Sequence, residues 1–182
     1  TVETIDGGLG NNIIAGTSSS NTIDVSNTQL INIAHIDGGA GHDTITGNAD
    51  NNIIIGGTGQ DTLNGGAGDD TFLINGTDTY YDKFNGGDGI DTILGSDSDD
   101  TIRVHNFSGD NTVETIDGGL GNNIIAGTSS SNTIDVSNTQ LINIAHIDGG
   151  AGHDTITGNA DNNIIIGGTG QDTLNGGAGD DT

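Results

Sequence analysis

The chain has 182 residues, including 34 Gly and no Pro, Cys, Met or Trp, and its 26 acidic residues against two basic ones give a formal charge of −24. A charge of this sign excludes nucleic acid as a partner, and the lack of Cys excludes disulfides and zinc–thiolate sites. No run of apolar residues is long enough to span a membrane.

A composition this acidic is, by itself, typical of a disordered tail. The hydrophobic residues make up 30% of the chain, however, and they recur at a fixed spacing. We therefore predict a folded chain. Because Gly, Asn, Thr and Ile are poor helix formers, we predict that it is built of strands and turns.

The sequence repeats on a long scale. Residues 1–71 are identical to residues 112–182, which gives a period of 111 residues. We predict one complete unit at 1–111 and a partial second copy at 112–182 that is continuous with the first. Exact identity over this length suggests recent duplication, and we expect the chain to be a segment of a longer array of such units.

Within each unit a nine-residue motif, the nonad, recurs. Each nonad has a glycine-rich turn, Asp or Asn at position six, and a short strand with one large apolar residue at position eight. The nonads of the first unit are 7–15, 16–24, 38–46, 47–55, 56–64, 65–73, 86–94 and 95–103. Their position-eight residues are Ile14, Ile23, Ile45, Ile54, Leu63, Phe72, Ile93 and Ile102.

Three inserts interrupt the nonads, at 25–37, 74–85 and 104–117. Each carries its own turn signal, at 27–29, 75–78 and 108–111, followed by apolar residues. We predict that each insert forms one half-turn with longer strands and a looser corner. The insert aromatic residues are predicted to cap or fill the wider rungs: Tyr80, Tyr81, Phe84 and Phe107.

Strands of three residues with one large apolar side chain each cannot cover the face of an ordinary sandwich. Two nonads can instead form one coil of a flattened solenoid, in which each strand pairs in parallel with the strand one coil further on. Glycine at positions one, two and four permits the positive φ angles of the turns. Eight nonads and three inserts make 11 half-turns, and this odd number predicts that corresponding turns of the two copies lie on opposite edges.

Such a solenoid needs a further source of stability. One buried Ile per nonad contributes only about 1.5–3 kcal/mol, which is less than the entropic cost of ordering nine residues. The many carboxylates also repel one another. A cation that binds only the ordered chain would remove this repulsion and add its binding free energy to folding.

Four nonads match the pattern G-G-x-G-x-D-x-U-x at every fixed position: GGAGHDTIT (38–46), GGTGQDTLN (56–64), GGAGDDTFL (65–73) and GGDGIDTIL (86–94). The chain therefore resembles the repeats-in-toxin (RTX) calcium-binding nonapeptide repeats, as found in large bacterial adhesins. The resemblance implies an all-β, right-handed parallel β-roll, or β-solenoid, with calcium ions between glycine-rich turns. In this family the ligands are position-six carboxylates and turn carbonyls.

The family motif carries over to one set of candidate calcium ligands: Asp43, Asp61, Asp70, Asp91, Asp154, Asp172 and Asp181. Asp100 matches at position six but lacks the preceding glycines. Calcium in this family lies between turns of the same edge, which predicts the neighbours Asp43 with Asp61, Asn52 with Asp70, and Asp70 with Asp91. Other turn acids are either auxiliary ligands or solvated side chains: Asp50, Asp69, Asp88, Asp97 and Asp99.

Some turns depart from the motif. Asn12 and Asn21 replace Asp at position six, and a neutral amide binds calcium more weakly. We expect these turns to be closed by Asn and Ser hydrogen bonds to the backbone, with little or no metal. His42, at the variable position beside Asp43, is predicted to be an exposed turn residue with no metal-binding or catalytic role.

The resemblance implies type I export from a Gram-negative cell and folding in external calcium. Long identical repeats favour a non-enzymatic segment of a surface adhesin or biofilm-matrix fibre. Its partners would be calcium, other copies stacked end to end into filaments, or a cell or matrix surface. Two alternatives stay open: a secretion and folding module attached to an exoenzyme or toxin, and a calcium buffer.

Overall fold

Short strands form nearly all the regular structure of the computed structural model, which describes residues 2–74 and 79–182. Most strands are three residues long, because a Thr followed by a large apolar residue favours the extended conformation and the next glycine-rich turn ends it. The turn predicted at 75–78 lies outside the described residues.

The strands of the first unit are β1 (Thr4–Asp6), β2 (Asn12–Thr17), β3 (Thr22–Asp24), β4 (Gln29–Ile31), β5 (Ile33–Gly39), β6 (Thr44–Thr46), β7 (Ile53–Ile55), β8 (Thr62–Ala67), β9 (Thr71–Leu73), β10 (Lys83–Asp88), β11 (Thr92–Leu94), β12 (Thr101–Arg103) and β13 (Asn106–Phe107). A 3₁₀ turn follows at Gly109–Asn111. The strands of the second copy are β14 (Thr115–Asp117), β15 (Asn123–Ala126), β16 (Thr133–Asp135), β17 (Gln140–Ile142), β18 (Ile144–Asp148), β19 (Thr155–Thr157), β20 (Ile165–Ile166) and β21 (Thr173–Asn175).

These strands stack in parallel sheets, three of which contain strands of both copies. The largest sheet has seven strands in the order β2-β5-β7-β9-β11-β14-β17. Three sheets have four strands, β3-β6-β8-β10, β12-β15-β18-β20 and β13-β16-β19-β21, and β1 pairs with β4. Since no strand of the described ranges pairs in the antiparallel sense, the prediction of an all-β parallel β-solenoid is confirmed.

The coils made of two nonads have the predicted register. Ile45 of β6 stacks on Leu63 of β8, and Ile54 of β7 stacks on Phe72 of β9. Hydrogen-bonded residues of neighbouring coils are 18 positions apart here. Each coil therefore places its position-eight side chain directly on that of the coil before.

The inserts at 25–37 and 104–117 differ from the prediction, because each contributes two strands. In the first insert, Asn32 separates β4 from β5 with φ = 54°, a left-handed conformation that Asn adopts more readily than β-branched residues. In the second insert, the 3₁₀ turn separates β13 from β14. The coils that contain these inserts have three strands, so the prediction of one half-turn for each of the two is wrong. The described part of the insert at 74–85 contributes one strand, β10, as predicted.

The thirteen strands of the first unit, counted over its described residues, replace the eleven half-turns predicted, and the number stays odd. Ile14 accordingly lies in the seven-stranded sheet, whereas its copy Ile125 lies in the sheet that begins with β12. Ile116, the copy of Ile5, stacks between Ile93 and Leu141. Identical residues of the two copies thus occupy different sheets, in keeping with the change of side that an odd number predicts.

The inward side chains form one core that includes residues of both copies. Ile45, Ile54 and Phe72 are fully buried, as the prediction for position eight requires. Phe84 and Phe107 lie in the same core, which confirms the prediction that they fill rungs. Tyr80 does not fill a rung, because its side chain is 54% exposed.

Candidate metal centre

The position-six carboxylates form rows along the turn edges of the solenoid. The backbone N–H of Asn21 donates to Oδ1 of Asp43 over 2.6 Å, and the N–H of Asp43 donates to Oδ1 of Asp61 over 2.7 Å. Each carboxylate is thus tied to the position-six residue of the coil before it. The predicted neighbours Asp43 and Asp61 do lie together.

A second row lies at the other turn edge of the two-nonad coils. The N–H of Asn52 donates to Oδ1 of Asp70, and the N–H of Asp70 donates to Oδ1 of Asp91, over 2.7 and 2.8 Å. The other two predicted pairs are therefore also neighbours. The same bonds recur in the second copy, joining Asn132 to Asp154, Asp154 to Asp172, and Asn163 to Asp181.

The second oxygen of several of these carboxylates has no hydrogen-bond partner. Asp43, Asp70, Asp91 and Asp154 are at most 2% exposed, and their Oδ2 atoms accept no hydrogen bond within the described part of the chain. A buried, unsatisfied charged oxygen is costly, because the solvation it loses is not replaced. Such an atom calls for a proton or a cation.

The first glycine of each matching nonad leaves space beside these oxygens. A Cβ added to Gly38 would lie 2.7 Å from Oδ2 of Asp43 and 2.5 Å from the carbonyl oxygen of Gly56 on the next coil. A Cβ at Gly149 would meet Asp154 and Gly167 in the same way, at 2.7 and 2.6 Å. A carboxylate oxygen and a carbonyl oxygen of successive coils therefore border one cradle.

This donor set fits calcium. Ca²⁺ accepts six to eight oxygen ligands and tolerates backbone carbonyls. Among the described residues, no group of three histidine or acidic side chains is arranged to hold a metal by itself. Carbonyl oxygens of the turns would therefore have to complete the coordination, as the alternation of carboxylates and carbonyls along each edge allows.

Burial makes two of these carboxyl groups, those of Asp70 and Asp91, resist ionisation. It raises the pKa of Asp70 to about 6, and the neighbouring charges of Asp91 and Asp69 add to the rise against the hydrogen bond from Asn52. Burial also raises the pKa of Asp91, with a further contribution from the charge of Glu114. A bound divalent cation would act in the opposite direction by favouring the charged form.

Asp100 differs from the other candidates. Its Oδ2 accepts hydrogen bonds from the backbone N–H and the hydroxyl of Ser96, over 2.6 and 3.0 Å, so its own turn satisfies the carboxylate. Asp172 is half-buried and Asp181 is exposed, whereas the equivalent residues of the first copy, Asp61 and Asp70, are buried.

Two acidic residues of the inserts extend the rows and were not among the sequence candidates. The N–H of Asp61 donates to Oδ1 of Asp82, and the N–H of Asp91 donates to Oε2 of Glu114, over 2.9 and 2.8 Å. Both precede a core residue by two positions, as Asp82 precedes Phe84. The spacing of position six to position eight was therefore present in the inserts without the glycines that mark a nonad.

The turns with Asn at position six close on themselves, as predicted. The N–H of Thr17 donates to Oδ1 of Asn21 over 2.6 Å, and Thr128 and Asn132 make the same bond over 2.7 Å in the second copy. The side-chain amide of Asn12 donates to the carbonyl of Gly10 in its own turn over 3.4 Å, and also to the carbonyl of Asn32 on another coil over 3.2 Å.

The position-five side chains form a second row outside the first. Oδ1 of Asp69 accepts the N–H of Ile90, and Nδ1 of His42 accepts the N–H of Gln60, both over 2.9 Å. His42 is exposed, as predicted. A position-five side chain accepts an N–H of the following coil, whereas a position-six side chain accepts an N–H of the preceding coil. Successive turns are therefore joined in both directions.

The model of the family described as RTX calcium-binding nonapeptide repeat matches the chain at residues 2–27, 36–72, 82–105, 108–138 and 148–182, which is well over half of its length. No curated protein and no solved structure matches the chain significantly. None of the described residues belongs to a helix of the length and apolar character needed to cross a bilayer. From the family match, the repeated nonads and the rows of buried carboxylates, we conclude that this chain belongs to the RTX calcium-binding nonapeptide repeat family.

Proposed function

We propose that the chain is a non-enzymatic, calcium-stabilised segment of a secreted bacterial surface adhesin or matrix fibre, and that it folds when calcium binds outside the cell. RTX repeats are typical of secreted proteins of Gram-negative bacteria, and the chain is a calcium-binding repeat module of that type. The observation that carries the proposal is the set of buried carboxylates, at Asp43, Asp70, Asp91 and Asp154, whose Oδ2 atoms accept no hydrogen bond from any described residue.

Calcium would be held between successive coils on one edge. The ligands would be Asp43 with Asp61, Asp70 with Asp91, and Asp154 with Asp172, together with turn carbonyls. The ion would supply positive charge that cancels repulsion between carboxylates at a site which exists only in the ordered coil. Extracellular calcium modules bind at roughly 10⁻⁴–10⁻³ M, so the chain would stay unfolded in a low-calcium cytosol.

The test is circular dichroism of the chain during a calcium titration. We expect a strand spectrum in millimolar calcium, loss of that spectrum in excess EGTA, and its return when calcium is restored. Magnesium at the same concentration is the control, because its smaller octahedral shell uses fewer protein carbonyls. A strand spectrum that EGTA leaves unchanged would refute the proposal.

The adhesin and exoenzyme alternatives predict different sequences around this segment in the parent gene. The exact repeat of residues 1–71 at 112–182 favours the array, so we expect many further units of 111 residues beside this segment. A catalytic domain upstream of one short block of nonads would favour the exoenzyme module. Electron microscopy of the calcium-loaded chain would show whether copies stack end to end into filaments.

A further inference from the structure

A groove beside the insert at 74–85 brings together the rarest side chains of the sequence. The 182 residues include two Tyr and two basic residues. Both tyrosines, Tyr80 and Tyr81, and one of the basic residues, Arg103, line a groove of about 600 Å³. Small-molecule sites commonly enclose roughly 300–1,000 Å³. Calcium binding requires none of these three side chains.

Both tyrosine rings are held in place by histidine rings. Tyr80 meets His42 edge to face, with ring centroids 5.9 Å apart and planes at 82°. Tyr81 lies against His105 at 5.0 Å and 32°. The His105 ring has a further contact, because the side-chain amide nitrogen of Asn132 lies 2.9 Å from its Nδ1 atom. Rings oriented in advance lower the entropic cost of binding a ligand.

The groove also has polar lining residues. Thr128, Ser129 and Ser130 line it, together with Asp148. Ser129 and Ser130 are exposed, and hydroxyl groups both donate and accept hydrogen bonds. The lining therefore combines aromatic rings and hydroxyl groups with one carboxylate and one guanidinium.

We propose that this groove binds a neutral saccharide chain. Sugar rings have apolar C–H faces, which suit stacking on Tyr80 and Tyr81, and hydroxyl rims, which suit the Ser, Asp148 and Arg103 groups. Tyrosine favours such ligands because it combines an apolar ring with a polar tip. The net charge of −24 repels anionic sugars, which makes a neutral saccharide the better match.

The groove lies where two repeat units meet. The tyrosines come from the insert of the first unit, and Thr128–Ser130 come from the second copy. If the chain is part of an array, as the proposed function holds, each junction between units rebuilds the same groove. Many weak sites on one rod bind a polysaccharide surface far more tightly than one site does. The single groove in this chain does not depend on that array.

The two tyrosines also provide the assay. The chain contains no Trp, so its intrinsic fluorescence arises from Tyr80 and Tyr81, both of which line the groove. We would titrate the calcium-loaded chain with neutral glucan and mannan oligosaccharides and record tyrosine emission and, in parallel, calorimetric heats. We expect saturable binding that Tyr81→Ala weakens by about tenfold or more, as for an anchoring aromatic, and that Tyr80→Phe largely preserves.

The repeat offers a matched control for the hydroxyl groups that line the groove. Ser18 occupies in the first copy the position of Ser129 in the second, but both tyrosines lie at the second. Ser129→Ala should weaken saccharide binding several-fold, whereas Ser18→Ala should leave it unchanged. Equal effects of the two substitutions would overturn the proposal.

Circular dichroism of each sample separates this proposal from the calcium proposal. An ordered chain that binds no neutral oligosaccharide, or that binds a uronate more tightly, would overturn the saccharide site alone. A chain that calcium does not order would overturn the calcium proposal and the groove with it.

Discussion

At the scale of single residues, the position-six carboxylates combine two opposing properties. Their Oδ1 atoms accept a backbone N–H from the preceding coil, which ties the coils together. Within the described part of the chain, the buried Oδ2 atoms of Asp43, Asp70, Asp91 and Asp154 accept no hydrogen bond, which makes the ionised form costly in the absence of a cation. The same side chain therefore stabilises the fold when calcium is bound and destabilises it when calcium is absent.

The contribution of the Asp70 charge to calcium-dependent folding can be compared with that of its neighbour Asp69. Asp70→Asn keeps an oxygen to accept the N–H of Asn52 but removes the buried charge. We expect the calcium concentration at the folding midpoint to rise by roughly tenfold, because ligand charge tunes calcium affinity. Asp69→Asn removes an exposed charge in the same turn and should change the midpoint little. Equal shifts, measured by circular dichroism, would contradict the assignment.

The raised pKa of Asp70 predicts how acid affects the calcium-free chain. Its folded-state pKa of about 6 exceeds the ordinary 3.8, so this group's stabilising contribution is fully present below about pH 3.8 and is lost as the pH rises through 6. Protonation of Asp70 also removes its repulsion of the Asp91 carboxylate, and the pKa of Asp91 is itself raised.

Acidification from pH 7 to pH 5 should therefore increase strand content in a chain freed of calcium on a chelating resin. Asp70→Asn should flatten the pH dependence, because the group that titrates is gone. A strand signal that falls between pH 7 and pH 5 would show that other groups dominate.

At the scale of strands and turns, close stacking depends on glycine at a few positions. Gly57 has φ = 93°, and a Cβ there would collide with the carbonyl oxygen of Gly39 on the preceding coil. A left-handed conformation costs about 1–2 kcal/mol for a residue with a side chain, and the collision adds to that cost. The turn stack therefore tolerates no side chain at this position.

We expect Gly57→Ala to lower the melting temperature at saturating calcium by several degrees or more. Gly109 provides the control, because a Cβ there meets no heavy atom within 4 Å and its φ is not positive. Gly109→Ala should melt close to the parent chain. If both variants melt alike in a calorimeter, turn stacking is looser than the contacts between Gly57 and Gly39 indicate.

At the scale of the whole molecule, the two copies have the same sequence and different surroundings. Ile116 is fully buried between Ile93 and Leu141, whereas Ile5 is half-buried and pairs with Leu30. Among the described residues β1 pairs with β4 alone, whereas β14 lies in a different sheet with β11 on one side and β17 on the other. Identical residues of this chain therefore have unequal energetic weight.

Alanine substitution at the two positions measures this inequality. Ile116→Ala should destabilise the calcium-loaded chain by about 2–5 kcal/mol, the usual cost of removing a fully buried Ile. Ile5→Ala should cost clearly less, because its side chain is only partly removed from water. Denaturant unfolding at fixed calcium gives both values, and equal losses would argue against the different sheet placement.

The sequence alone determined the features that repeat every nine residues. A turn glycine, the Asp at position six and the core residue at position eight act within one nonad, so the nonad itself predicts a turn carboxylate at Asp43 and a core side chain at Ile45. The pairing of Asp43 with Asp61 followed as well, because two nonads close a coil.

Only the tertiary structure decided what happens where the period breaks. Asn32 separates one insert into two strands, Asp82 and Glu114 continue the carboxylate rows from outside any nonad, and Tyr80 lines the same groove as Ser129 of the second copy. These arrangements depend on which coils become neighbours. That register is set by the summed lengths of inserts far apart in the sequence, and no local pattern records it.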